Sequence, residues 1–328
     1  MKAIVYTRYG PPDVLELKEV EKPAPRDNEV LVKVHAASAN PADWHLLRGE
    51  PFLARLSAGL LKPKNTILGI DIAGRIEEVD KNVTEFQPGD EVFGDCGWGG
   101  GFAEYVCVTE KNLVLKPANI TFEEAAAVPV AAITALQGLR DEGQIQPGQK
   151  VLINGASGGV GTFTVQIAKY FGGEVTGVCS TRNLDMVRSI GADHVIDYTK
   201  EDFTQSKQGY DLIIDNVGNR SVSDLKRPLS PNGNCVIIGF SSLVLMLQHM
   251  LLGSLVSRKR GKRISVMGTA KINKNDMAFI KELLETGKVV PVIDRRYTLS
   301  EIPEAIRYLE KGHARGKVVI TLEHNNKT

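Results

Sequence analysis

The sequence predicts an α/β protein of two domains, one mostly β and the other built on a doubly wound parallel sheet of six strands. Three observations predict this. Up to about residue 122, short β-branched runs are separated by Pro and Gly turns; from about 123, such runs alternate with helical patterns; and from Lys150 to Tyr198 a strand, a glycine-rich turn, a helix and a second strand follow in succession.

The elements follow in order. MKAIVYTRYG opens as a strand, and VLVKVHAAS, ILGIDIAGRIEEV, DEVFG and AEYVCVTE alternate as strands, with WHLLRG a short helix and Pro88-Gly89 suited to a type II turn. VLI then begins the β-α-β unit, VGTFTVQIAKYF coils with Val160, Ile167 and Ala168 inward, and EVTGVCS returns to strand. DHVIDY, DLIIDNVG, NCVIIGF (after a Pro231-Asn232-Gly233 turn) and RISVMG complete six strands, with an apolar helix from Leu243 to Val256 before the last. The tail holds a helix with Met277, Ile280, Leu283 and Leu284 on one face, a second near Pro303 to Glu310, and the strand KVVITL. It is expected to rejoin the N-terminal half. The expected domains are therefore 1–122 with 271–328, and 123–270 between them. No internal repeat interrupts this pattern, and EHNNKT is expected to fray.

A length of 328 residues suffices for two ordinary domains, and a formal net charge of +1 offers no general attraction for nucleic acid. The basic run Arg258, Lys259, Arg260, Lys262 and Arg263 reads as a solvated turn. Cys96, Cys107, Cys179 and Cys235 are scattered without C-x-x-C pairing, which points to reduced thiols in the cytoplasm rather than a disulfide scaffold or a zinc knot. The N-terminus lacks the pattern of a secretory signal, and Leu243 to Val256 falls short of the roughly 18 apolar residues of a membrane span. No membrane span is expected.

The glycine-rich turn locates a dinucleotide. Ala156, Ser157, Gly158, Gly159, Val160 and Gly161 fill an A-x-G-x-x-G frame between strand and helix. Glycines there remove Cβ atoms where backbone approaches a pyrophosphate and where helix packs on strand, and the helix N-terminus offers free N–H groups to the phosphate charge. At the end of the next strand the chain reads Cys179, Ser180, Thr181, Arg182, Asn183, with no carboxylate to repel a 2'-phosphate. Arg182 can pair with that phosphate in a bond worth roughly 1.5 to 3 kcal/mol, so NADPH is the expected cofactor.

The segments SANPADWHLLRG, ILGIDIAGRIEEV, QPGDEVFG, GGFAEYV, AAITALQGL, NGASGGVG, GADHVIDY and HARGKVVI together resemble the medium-chain dehydrogenase/reductase superfamily, within it the zinc-free quinone oxidoreductase and enone reductase branch. The resemblance covers nearly the whole chain. It implies a GroES-like substrate domain, a Rossmann domain, a cleft between them and a homodimer. It also implies cofactor contacts from Thr134, from Tyr198 beside Ser180 and Arg182, from Asn216-Val217 and Gly239-Phe240 at strand ends, and from Arg315 and Lys317 in the tail.

Alcohol dehydrogenases of this superfamily hold zinc with Cys, His and Cys. Segment by segment, those positions match Asn40, Ile70 and Val130, an amide and two aliphatic side chains, so no metal is expected. His45 with Asp43 and Asp71 makes a weaker alternative set. Without a Lewis acid, an unactivated alcohol is a poor substrate, whereas a quinone or an α,β-unsaturated carbonyl needs only hydrogen-bond donors at the oxygen that gains charge. Asn40 is the expected donor, Asp43 its orienting neighbour and His45 the proton donor. Asn40 and Asp43 each have a plainer role, an Asx turn before Pro41 and a helix cap, and solvent or the cofactor ribose hydroxyl is the alternative to His45. Pro51 to Thr66, apolar and basic, reads as a lid or cleft wall for a hydrophobic acceptor. Two further functions remain open: a cofactor-binding sensor, structural or RNA-binding protein on the same fold, and, less favoured, an alcohol dehydrogenase.

Overall fold

A computed structural model describes residues 1–52, 55–256 and 261–322. Two compact units divide the chain: Met1–Val130, Ile272–Gly287 and Pro291–Thr328 make the first, Ala131–Lys271 and Lys288–Val290 the second. The tail rejoins the N-terminal half, and the first unit runs on to Val130, where composition suggested a change near 122.

Along the chain come β1 (Lys2–Val5), β2 (Glu16–Glu19), β3 (Glu29–Ala39), α1 (Pro41–Arg48), α2 (Arg55–Ala58), β4 (Asp71–Val79), β5 (Glu91–Asp95), β6 (Tyr105–Thr109), β7 (Leu113–Leu115) and α3 (Phe122–Ala126). After α4 (Pro129–Gln137), the inserted unit contributes β8 (Lys150–Asn154), α5 (Gly159–Tyr170), β9 (Glu174–Cys179), α6 (Leu184–Ser189), β10 (His194–Asp197), β11 (Tyr210–Asp215), α7 (Val222–Lys226), β12 (Leu229–Ile237), α8 (Leu243–Val256) and β13 (Arg263–Val266). The tail adds α9 (Lys274–Glu285), β14 (Ile293–Thr298), α10 (Ile302–Glu310) and β15 (Lys317–Thr321).

In the second unit the six strands run in the order β10-β9-β8-β11-β12-β13, all parallel. Counted within the unit this is 3-2-1-4-5-6, the doubly wound order that leaves a crevice at the carboxyl ends where the winding reverses. Leu152, Val178, Ile213, Cys235 and Ile237 fill its core, as expected of strands covered on both faces. One expected turn is corrected. Pro231-Asn232-Gly233 lies inside β12, with Asn232 at φ 67° and a register shift between Tyr210 and Leu212, so the punctuating residues make a strand irregularity instead of a break. Val160, expected inward, is only half-buried, whereas Ile167 and Ala168 are fully buried.

The first unit centres on β3, eleven residues long, in a sheet ordered β14-β15-β3-β4-β5-β7 with β6 also on β3. Val30, Val32, Val34 and Ala37 of β3 pack with Ile72, Val318 and Ile320 in one core. The expected face of α9 is buried at Met277, Ile280, Leu283 and Leu284. No described helix is long and apolar enough to cross a membrane. Within the basic run, Arg258, Lys259 and Arg260 lie outside the described residues, as does the terminal EHNNKT.

Candidate active site

Among the described residues, the candidate side chains gather in both units. In the second unit, β8 ends at Asn154, and Gly155 at φ 76° turns the chain toward α5. Gly161 is fixed by packing: a Cβ there would stand 2.0 Å from the Gly155 carbonyl oxygen. A Cβ on Gly158 would meet only that oxygen, at 3.4 Å, so the approach to the helix start is open. No side chain caps α5. Ala156, in place of the usual first glycine, is fully buried and donates its N–H to Val178 at 3.0 Å. Glycine at 177 makes room for it, since a Cβ there would come within 3.1 Å of the Ala156 methyl.

Around this turn the structure gathers the expected strand-end residues. Asn216 donates its N–H to the Asn154 carbonyl at 3.1 Å, and a Cβ on Gly239 would lie 2.1 Å from the Asn216 carbonyl oxygen. Asp215, fully buried, anchors the group by accepting from the Val217 and Gly218 N–H groups at 3.0 Å each and from Asn154 Nδ2 at 2.8 Å. Burial pushes its carboxyl above the usual range against those bonds. Asp215 Oδ2 and Asn216 Oδ1 are buried and lack a hydrogen-bond partner among the described residues. An uncapped helix N-terminus, an open glycine and orphaned acceptors at the carboxyl edge suit a dinucleotide.

Ser180 and Arg182 follow β9, and the Tyr198 N–H donates to the Cys179 carbonyl at 3.1 Å, which joins the two loops. Arg182 is exposed, and so is Tyr198. Asn183, a residue whose role no local pattern marks, donates to Ser157 Oγ at 2.9 Å and to Ser180 Oγ at 3.3 Å, tying the glycine-rich turn to the end of β9. One expectation is corrected here. A carboxylate does stand at the end of β9: Asp197, paired with Cys179 from the neighbouring strand β10, accepts from the hydroxyls of Thr181 and Thr199. The Thr181 hydroxyl leads in holding its pKa down to about 2. Sequence separation hid it. Thr134 sits half-buried on α4.

In the first unit, pairing of β3 with both neighbours assembles a buried polar cluster. Ala39 pairs with Val318 of β15, which brings Lys317 beside Asn40, and Ser38 pairs with Asp71 of β4. Lys317 Nζ donates to Asn40 Oδ1 at 2.6 Å and lies 3.3 Å from Asp71 Oδ2. Asn40 Nδ2 and Ser38 Oγ each donate to that same oxygen at 2.9 Å, and the Val130 N–H donates to Asp71 Oδ1 at 3.0 Å. Asn40, Asp71 and Lys317 are at most 3% exposed.

Asn40 is the N-cap residue of α1, and its side chain is held by Lys317 and Asp71. Asp43 does serve the helix start. Its carboxylate accepts from the Asn40 N–H at 2.7 Å and from the Gly69 N–H at 3.0 Å. Burial nonetheless pushes its pKa up to about 7. His45 stacks on Trp44 at 3.6 Å, and its Nδ1 lies 2.9 Å from the Glu50 carbonyl oxygen. A carbonyl only accepts, so Nδ1 carries the proton; burial lowers the ring's pKa, which leaves Nε2 a lone pair. That is an acceptor's arrangement and fits poorly with the expected proton donor. Lys317, expected at the cofactor, has its ammonium buried on Asn40 and Asp71, while Arg315 is exposed with its N–H on Asp294 at 2.8 Å.

The donor set does not suit zinc. Asn40, Ile70 and Val130 offer no thiolate or imidazole, and Asp71 is already bound to an ammonium. The nearby Cys96 thiol donates to the carbonyls of Gly69 and Ile70 at 3.1 and 3.0 Å, and burial raises its pKa well above the ordinary thiol range. Among the insert leucines, Leu56, Leu60 and Leu61 are exposed, as is Phe52.

A family model described as the alcohol dehydrogenase GroES-like domain matches residues 26–118, and one described as zinc-binding dehydrogenase matches 190–320, a stretch outside the positions of Asn40, Ile70 and Val130. Among curated proteins, the chain is 36% identical to 2-methylene-furan-3-one reductase of Solanum lycopersicum, over 98% of this chain and 79% of that protein. It is 34% identical to a chloroplast envelope quinone oxidoreductase homolog of Arabidopsis thaliana, covering 98% of both. It is 35% identical to the chloroplastic NADPH-dependent alkenal/one oxidoreductase of Arabidopsis thaliana, over 98% of this chain and 79% of that one. Among solved structures, the quinone oxidoreductase from Coxiella burnetii superposes with a TM-score of 0.87 at 32% identity, over 98% of this chain and 99% of that one.

The chain belongs to the medium-chain dehydrogenase/reductase superfamily, in its quinone oxidoreductase and enone reductase branch. It is an oxidoreductase that uses a nicotinamide dinucleotide.

Proposed function

We propose that this protein is a zinc-independent, NADPH-dependent reductase that transfers hydride to a quinone or an α,β-unsaturated carbonyl. One observation carries the reading: the positions that match zinc ligands elsewhere in the superfamily are knit together by the Asn40–Asp71–Lys317 cluster, which offers hydrogen bonds and no free anionic ligand. A reduced nicotinamide, when bound, supplies the hydride. The residues then need only to stabilise the oxygen that becomes an enolate or hydroquinone anion.

Asn40 is the proposed donor. One of its amide hydrogens is held by Asp71, while the other meets the Ser38 carbonyl at 3.5 Å, the outer limit of a hydrogen bond. Asp43 acts indirectly, by holding the Asn40 N–H. With Nε2 of His45 an acceptor, solvent or a cofactor ribose hydroxyl delivers the proton, and His45 lines the route. Ser180, Arg182 and Tyr198 hold the 2'-phosphate, while the Thr181 and Thr199 hydroxyls absorb the charge of Asp197. Residues 156–161, Thr134, Asn216, Val217, Gly239, Phe240 and Arg315 contact the rest of the cofactor. Phe52, Leu56, Leu60 and Leu61 favour a hydrophobic acceptor. A cytoplasmic homodimer accompanies this reading, and the four free cysteines suit a reducing compartment.

The test follows NADPH absorbance with a panel of quinones, enals and enones, with and without a chelator. Acceptor-dependent oxidation that chelation leaves unchanged supports the proposal. Cofactor binding without turnover across the panel would replace it with a sensor or structural role, and chelator sensitivity with a zinc-dependent one.

A further inference from the structure

The amide of Asn40 has two unlike ends, and its surroundings distinguish them. An ammonium can only donate and a carboxylate can only accept. Lys317 Nζ sits 2.6 Å from Oδ1, and Asp71 Oδ2 sits 2.9 Å from Nδ2. Turning the amide over would set NH2 against NH3⁺ and the carbonyl against the carboxylate, two repulsive contacts where two charge-assisted bonds stood. All three residues are at most 3% exposed, so water is poorly placed to screen the difference. The arrangement comes from the sheet, since the β3–β15 register puts Lys317 beside Asn40.

We propose that Lys317 is a positioning residue: its ammonium locks the Asn40 amide in one orientation, so that the N–H directed only loosely at the Ser38 carbonyl, 3.5 Å away, is the donor kept for the acceptor oxygen. This rests on the reading of Asn40 given under Proposed function. Lys317 therefore touches no substrate. It stands among segments whose counterparts hold a metal in related dehydrogenases, an internal cation ordering a neutral donor.

Lys317→Met keeps length and removes the charge. In the full-length protein with NADPH and an accepted enone, kcat should fall about 10- to 100-fold with little change in the NADPH KM, because a misdirected donor acts only on the reacting oxygen. Adding Asn40→Ala to Lys317→Met should slow turnover no further than Asn40→Ala alone. In protein carrying 15N-asparagine, the Asn40 side-chain NH2 pair should be single and sharp, and should double or broaden in Lys317→Met. Wild-type kcat in Lys317→Met, or losses that multiply in the double variant, would overturn the proposal.

If Lys317→Met leaves Asp71 buried and unpaired and does not fold, Lys317→Met with Asp71→Asn removes both charges, and the same spectrum decides. An undisturbed NH2 pair in that variant counts against the proposal; a pair that doubles there but stays single in Asp71→Asn alone counts for it. Should no acceptor be reduced even by the wild type, the function fails while the spectrum still reports on the orientation.

Discussion

The Thr181 hydroxyl donates to the carboxylate of Asp197, tying the end of β9 to the end of β10 one residue before Arg182. A carboxylate held this way is poorly placed to take ribose hydroxyls, and Arg182 is the cationic partner proposed for a 2'-phosphate. Arg182→Ala should weaken NADPH binding by about 10- to 100-fold and leave NADH nearly unchanged. Asp197→Asn, which removes the negative charge, should raise the preference for NADPH. Fluorescence titrations with both cofactors check this; equal losses for the two in Arg182→Ala would remove Arg182 from the 2'-phosphate site.

Asn40→Ala removes the proposed donor. Turnover should drop about 100-fold, in line with the loss of one donor to a developing oxyanion, with NADPH affinity intact. Steady-state kinetics beside a cofactor titration separate the two quantities, and full activity would clear Asn40 of any part in the reaction.

Asp43 gives a pH signature. Its folded pKa of about 7 lies above the usual aspartate value of roughly 3.9, so between these limits the folded state holds a proton that the unfolded state has released. Its contribution to stability is full below about pH 4 and is lost as pH rises to about 7. Asp43→Asn lacks this titration. The stability of wild type minus that of the variant should therefore decline over that window and level off above it, as read by denaturant melts. A constant difference would contradict the elevated pKa.

Gly158 and Gly161 should fail in different ways. A Cβ at Gly161 collides with backbone 2.0 Å away, so Gly161→Ala should cost about 1 to 3 kcal/mol of stability. Gly158 has room for a methyl, 3.4 Å from its nearest neighbour, so Gly158→Ala should stay within about 0.5 kcal/mol of wild type yet bind cofactor more weakly. Thermal melts and titrations of both variants check the contrast, which a destabilised Gly158→Ala would erase.

The second unit was legible because its signals are local. β-branched runs, the glycine frame and the helical patterns each lie within a few residues, and the six strands follow from them, whereas the strand order is set by long-range pairing. Asn40, Asp43 and Asp71 stood out for a similar reason, as neighbours of a helix start and of a strand. What Asn40 does with its amide was hidden, because its partner Lys317 lies 277 positions away and only the β3–β15 register unites them. Asp197 escaped notice beside Thr181 because it arrives on the adjacent strand. Pro231 to Gly233 misled in the opposite sense: three turn-formers in a row were absorbed by an irregular strand.

The strands β14 and β15 follow the whole inserted unit in sequence, yet β15 lies between β14 and β3 in the first unit's sheet. During synthesis the inserted unit can close on itself early, as contiguous domains do. The β3 edge from Ala36 to Ala39, beyond the stretch that β6 covers, must wait open until β15, made after the whole inserted unit, arrives to pair with it. The first unit's polar cluster is thus completed only after the inserted unit has been made, and nascent chains stalled before β15 should be the species most in need of a chaperone.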